Sequence, residues 1–90
     1  MKEVFIWLQT GGESPYINKK IPFKVTDIVD LEQQLIAFFA DHGLRDMLDD
    51  QGKLGTHFAY ASEDKLYRDI KEIPIEDQTT IKIFLLMIDG

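Results

Sequence analysis

Residues 80–90, Thr-Ile-Lys-Ile-Phe-Leu-Leu-Met-Ile-Asp-Gly, constrain this chain more than any other stretch. A β-branched, apolar run with almost no polar break is the pattern of a strand buried in the middle of a sheet. Nothing in it signals a turn or a helix, and it leads directly to Gly90. Glycine has no side chain to hinder an approach to its carboxylate. A stiff central strand carrying a slim tail therefore places any chemistry at the C-terminus.

The rest of the chain must supply a sheet for that strand and a layer to cover it. Glu3–Gln9 is β-branched and aromatic, a first strand. The loop Thr10–Pro15 follows; its two glycines open no helix, so it lacks the setting of a phosphate-binding loop. Tyr16–Val25 reads as a second strand, antiparallel to the first. Pro22 cannot donate to a ladder, so this strand belongs at an edge, where Lys19, Lys20 and Lys24 would guard it. Thr26 and Asp27 are helix N-cap residues, and Ile28, Leu31, Leu35, Phe38 and Phe39 recur at helical spacing up to Gly43. Leu44–Leu48 reads as a short helical turn, Asp49–Gly52 as a tight turn, and Thr56–Ala61 as a third strand. Ser62-Glu63-Asp64 turns the chain into a short strand at Leu66–Arg68, and Asp69–Asp77 is irregular. The resulting fold class is α+β, a mixed sheet with one main helix across one face. The first and last strands lie parallel at its centre, joined by a long crossover.

Composition narrows the function classes. The 90 residues are enough for one small domain spanning 1–90, and 44% of them are apolar, enough for a core. Cysteine is absent, which removes disulfides, thiolate metal sites and cysteine nucleophiles. A formal charge of −6 argues against nucleic acid as a partner. No apolar run approaches the roughly 20 residues of a membrane span, and the N-terminus lacks a signal-peptide pattern. The expectation is a cytoplasmic protein with no membrane partner. Catalysis by the chain itself is not indicated. His42 suits a helix C-terminus, His57 lies alone on a strand face, and no acid pairs with a nucleophile at a recognisable spacing. Asp49, Gln51 and Lys53 occupy alternate positions where a calcium loop needs oxygen ligands, and the lysine defeats that reading, so no metal site is expected.

Leu44-Arg45 through Leu54, then Ser62-Glu63-Asp64, then Ile73-Pro74-Ile75-Glu76-Asp77-Gln78, and finally the apolar terminal strand resemble, in order and spacing, the sulfur-carrier branch of the ubiquitin-like β-grasp family. That branch includes the small subunit of molybdopterin synthase and the thiamine-pathway sulfur carrier. The resemblance implies a β-grasp fold with 88–90 as a flexible tail. It also implies a C-terminal glycine carboxylate that a ubiquitin-activating-type adenylyltransferase activates with ATP. Conversion to a thiocarboxylate then serves molybdopterin or thiamine biosynthesis, or another cofactor or metabolite pathway. The carrier binds no cofactor of its own; ATP is used by the activating partner. Gly90 matches the reacting glycine. Ile88 and Asp89 match the tail, with Asp89 standing where the family has a second glycine. Ubiquitin relatives join the same carboxylate to an amine, so a protein modifier is the alternative, and a non-conjugated β-grasp interaction domain is another.

Strand alternation supplies an independent expectation. Val4, Ile6 and Leu8 share one face of the first strand and Phe5 and Trp7 the other. In the last strand Lys82, Phe84, Leu86 and Ile88 oppose Ile81, Ile83, Leu85 and Met87. Lysine resists burial, so Lys82 assigns its face to the side away from the helix. Phe5, Trp7, Phe84 and Leu86, beside small Ala59, then form a partner-binding sheet face for the activating enzyme and for an acceptor subunit or conjugation target.

Overall fold

In the computed structural model, residues 1–9, 18–55 and 58–85 are described, without the side chains of Asp46 and Leu85. The elements run β1 (Lys2–Gln9), β2 (Lys20–Val25), α1 (Ile28–Asp41), a 3-10 turn at Arg45–Met47, β3 (Phe58–Ser62), β4 (Lys65–Tyr67), a second 3-10 turn at Ile70–Glu72, and β5 (Thr79–Leu85). The strands form one mixed five-stranded sheet in the order β2-β1-β5-β3-β4, with β1 and β5 parallel and the other pairs antiparallel. The terminal strand is thus central, as its composition requires.

Parallel neighbours have no hairpin to set their register, so side chains must do it. Here the turn before β5 is fastened to the start of β1. Gln78 N–H donates to the Glu3 carbonyl at 2.7 Å and Glu3 N–H to Asp77 Oδ1 at 2.8 Å. The Gln78 amide nitrogen donates to Glu3 Oε1 at 3.0 Å. Gln78 adopts a left-handed backbone, φ 72°, to make this turn. The register that follows sets Ile6 opposite Ile81 and Leu8 opposite Ile83, all fully buried or nearly so.

Helix α1 covers that apolar face with Leu31, Leu35 and Phe39. Its first turn is held by Asp27, whose carboxylate accepts from Asp30 N–H at 2.8 Å, an N-cap bond. Asp30 in turn accepts from Thr26 N–H at 2.9 Å and from Gln34 Nε2 at 3.2 Å. These bonds, the Thr26 amide first and then Gln34, hold the Asp30 carboxyl below its ordinary range. Gln34 also donates to the Lys24 carbonyl at 2.9 Å, which ties the helix to β2. At the other end Gly43 takes φ +73° and Leu44 N–H returns to the Phe39 carbonyl at 2.9 Å, a glycine-terminated helix end.

Several boundaries differ from the sequence reading: β1 starts at Lys2, β4 is Lys65–Tyr67 and β5 starts at Thr79. β2 begins at Lys20 because Asn18, in a left-handed turn at φ 63°, closes back on the Leu8 carbonyl; residues 16 and 17 lie outside the described residues. Ser62 is the last residue of β3 and is buried, so the β3–β4 turn is only Glu63 and Asp64. Both are left-handed, at φ 51° and 70°, the backbone of a tight two-residue hairpin. The start of the third strand, Thr56 and His57, lies outside the described residues.

Asp77→Ala removes one of the bonds that register β5 on β1 and is expected to cost about 1 kcal/mol. Ile6→Ala, in the packed layer, is expected to cost about 2–5 kcal/mol. Urea unfolding checks both, with midpoints shifted in that order and the slope unchanged.

Candidate partner-binding face

Directly paired residues share a sheet face, so the strand registers define the side opposite α1 without further assumption. Trp7 lies between Lys20 on β2 and Lys82 on β5. Phe5 lies between Pro22 and Thr80, and Phe84 between Gln9 and Ala59. Ala61 bridges Lys82 and Leu66. Every neighbour along these rows belongs to the same side, so the face runs unbroken from β2 to β4.

The expected cluster is therefore brought together in part. Phe5, Trp7 and Phe84 are half-buried on the face away from the helix, with Lys82 beside them as its charge requires. Ala59 lies on that face too, but it is 3% exposed and serves as floor rather than contact surface. Leu86, like the tail Ile88, Asp89 and Gly90, lies outside the described residues.

Sequence reasoning missed Leu66. It is 71% exposed on β4 and joins the face only through its pairing with Ala61. Lys20 sits exposed on the edge strand as expected and, beyond that expectation, its ammonium stands 5.4 Å from the Trp7 ring centroid. The Lys82 ammonium stands 4.6 Å from the same ring. Both are within cation–π range, so the indole is flanked by positive charge from the strands on either side. The Trp7 Nε1–H is buried and has no hydrogen-bond partner among the described residues.

The helix side of the sheet offers a different feature, an open cleft of about 420 Å³ between α1, the 49–55 turn and β3. Its walls mix both signs, with Glu32, Asp49 and Asp69 against Lys53, Arg68 and Lys71. Asp49 is committed to its own turn. It accepts from Gln51 N–H at 2.8 Å and Lys53 N–H at 3.0 Å, and these amides, Lys53 first, lower its carboxyl pKa. Tyr60 forms part of the lining, its ring packed in the core. Burial pushes its hydroxyl up to about 12, helped by the nearby charges of Asp69 and Glu32. Among the described residues no three potential metal ligands gather, and no helix is long and apolar enough to cross a membrane.

Comparison with protein-family models, with curated proteins and with solved structures finds no match for this chain.

Two outcomes test this picture. Trp7→Gln combined with Phe84→Gln is expected to keep a cooperative unfolding transition, losing about 1–2 kcal/mol because both rings are only half-buried. Complete unfolding of the double variant would make this face core instead. Tyr60 has a folded-state pKa raised from 10.0 to about 12, so its contribution is whole below pH 10 and fades as pH rises toward 12. Phenolate absorbance is expected to show a late-titrating tyrosine that is absent from Tyr60→Phe.

Proposed function

We propose that this chain is a β-grasp, ubiquitin-like carrier, a protein acted upon by partners and not an enzyme itself. On this reading a ubiquitin-activating-type adenylyltransferase grips the open sheet face and uses ATP to adenylate the Gly90 carboxylate. Sulfide then displaces the adenylate to leave a thiocarboxylate for cofactor or metabolite synthesis. The observation that carries the reading is the place of β5. It is flanked on both sides, parallel to β1 and antiparallel to β3, and is still paired at Leu85, opposite Phe58. In sequence, residues 86–90 follow directly on Leu85, the residue after Phe84 of the open face.

The strand order β2-β1-β5-β3-β4, with one helix on one face, supports the β-grasp assignment. Residue chemistry supports a carrier over an enzyme. Among the described residues the perturbed groups are Asp30 and Asp49, occupied in a cap and a turn, and Tyr60, rooted in the core. None of them faces a nucleophile in a cleft.

Incubation with such an adenylyltransferase, ATP and a sulfide donor is expected to give an intact mass raised by one oxygen-to-sulfur exchange. A bond to a second protein would instead assign the modifier role, and absence of any adenylate would leave an interaction domain. Asp89 places a charge where the activating channel desolvates the tail, so Asp89→Gly is expected to increase adenylate yield several-fold.

A further inference from the structure

At the centre of the open face stands a set of hydrogen-bond donors that no acceptor meets among the described residues. The Trp7 indole can only donate, and so can the ammonium groups of Lys20 and Lys82. Those two groups lie 5.4 and 4.6 Å from the indole centroid, and among the described residues neither has a carboxylate partner. The indole Nε1–H is shielded from solvent and likewise unpaired.

Charges of both signs border the face. Glu3 on β1 stands opposite Lys24, and Glu63 and Asp64 of the β3–β4 turn share a shallow hollow with Lys82, toward the end where β5 begins. Trp7 lies between Lys20 and Lys82, with Phe84 farther along β5. A protein of net charge −6 thus sets two cations against its one indole on this face.

We propose that this face docks an acidic, partly apolar segment of a partner protein. One carboxylate is seated between Lys20 and Lys82, beside the Trp7 indole, and apolar side chains rest on Phe5, Phe84 and Leu66. This deepens the docking half of the carrier reading and rests on the open face it uses, but needs no chemistry at Gly90. Nucleic acid also combines negative charge with groups that stack on aromatic rings, but the overall acidity of the chain repels a polyanion at longer range. A short segment with a few carboxylates among apolar residues gains the local attraction with less of that repulsion.

Trp7 is the only tryptophan, so its indole N–H gives a single resonance in a nitrogen–proton correlation spectrum. Titration of the full chain with a peptide of alternating glutamate and valine is expected to move that resonance and to saturate. The glutamine–valine counterpart is expected to bind at least about tenfold more weakly. Lys20→Gln combined with Lys82→Gln is expected to weaken the acidic peptide by about tenfold, with the remaining amide resonances unchanged in the free protein. Absence of a saturable shift, equal binding of the glutamine peptide, or stronger binding of a single-stranded oligothymidylate would each overturn the proposal. A peptide-induced shift in a chain that never forms an adenylate upholds the docking site while the carrier reading falls. An adenylate formed without any peptide shift does the reverse.

Discussion

The parallel contact between β1 and β5 is the constraint on which the rest of this small protein depends. Parallel strands are brought together only by a long crossover, and closing it is an entropic cost with no local hairpin to offset it. In this chain the crossover contains every other element. The pair is stabilised twice, by the stack of Val4, Ile6, Leu8, Ile81 and Ile83 beneath α1 and by the polar clamp of Glu3, Asp77 and Gln78 at its mouth. The apolar stack supplies most of the free energy, because each fully buried aliphatic side chain contributes about 1.5–3 kcal/mol against about 1 kcal/mol for a hydrogen bond. The clamp supplies what the stack cannot. A slip by one residue would exchange Ile81 and Ile83 for Lys82 and Phe84 on the buried side.

Fixing that register also fixes the opposite face. Once Ile6 meets Ile81, Trp7 must meet Lys82, and the antiparallel registers of β2 and β3 then bring Lys20 and Ala61 alongside. The edges of the sheet carry their own protection. β2 ends the sheet with Pro22 among exposed lysines, and β4 is only three residues long. Further sheet growth is disfavoured at both edges. Leu66 stands 71% exposed on the same side as that broad face.

The parts legible in the sequence were those governed by short-range periodicity. Alternation alone sorted Val4, Ile6 and Leu8 from Phe5 and Trp7, and one lysine at position 82 was enough to orient β5. Asp27 and Gly43 bounded the helix because capping and left-handed termination are local chemistry. What escaped was set by pairing between distant segments. Nothing near Lys20 announces that it stands over Trp7, since that depends on the β1–β2 register. Leu66 joins the face through a hairpin whose turn uses Glu63 and Asp64 in left-handed conformations, where glycine or asparagine would have been the readable signal. Ser62 was read as turn for the same reason, although the strand buries it.

The two faces of the sheet differ in what they leave unsatisfied. On the helix side several polar groups have partners within the chain: Gln34 on Lys24 and Asp30, Asp49 on its own turn, Thr79 Oγ1 accepting from Glu76 N–H at 2.9 Å. On the open face two ammonium groups flank an indole whose own N–H is unpaired among the described residues. Lys20 guards the β2 edge and Lys82 keeps its face outward, yet Gln or Thr at either position would keep the strand and avoid the mutual repulsion. Each lysine gains a modest cation–π attraction to the ring, yet two like charges share it, so the net contribution to stability is small. An arrangement of small net value to the isolated fold is what the proposed docking of an acidic segment would account for.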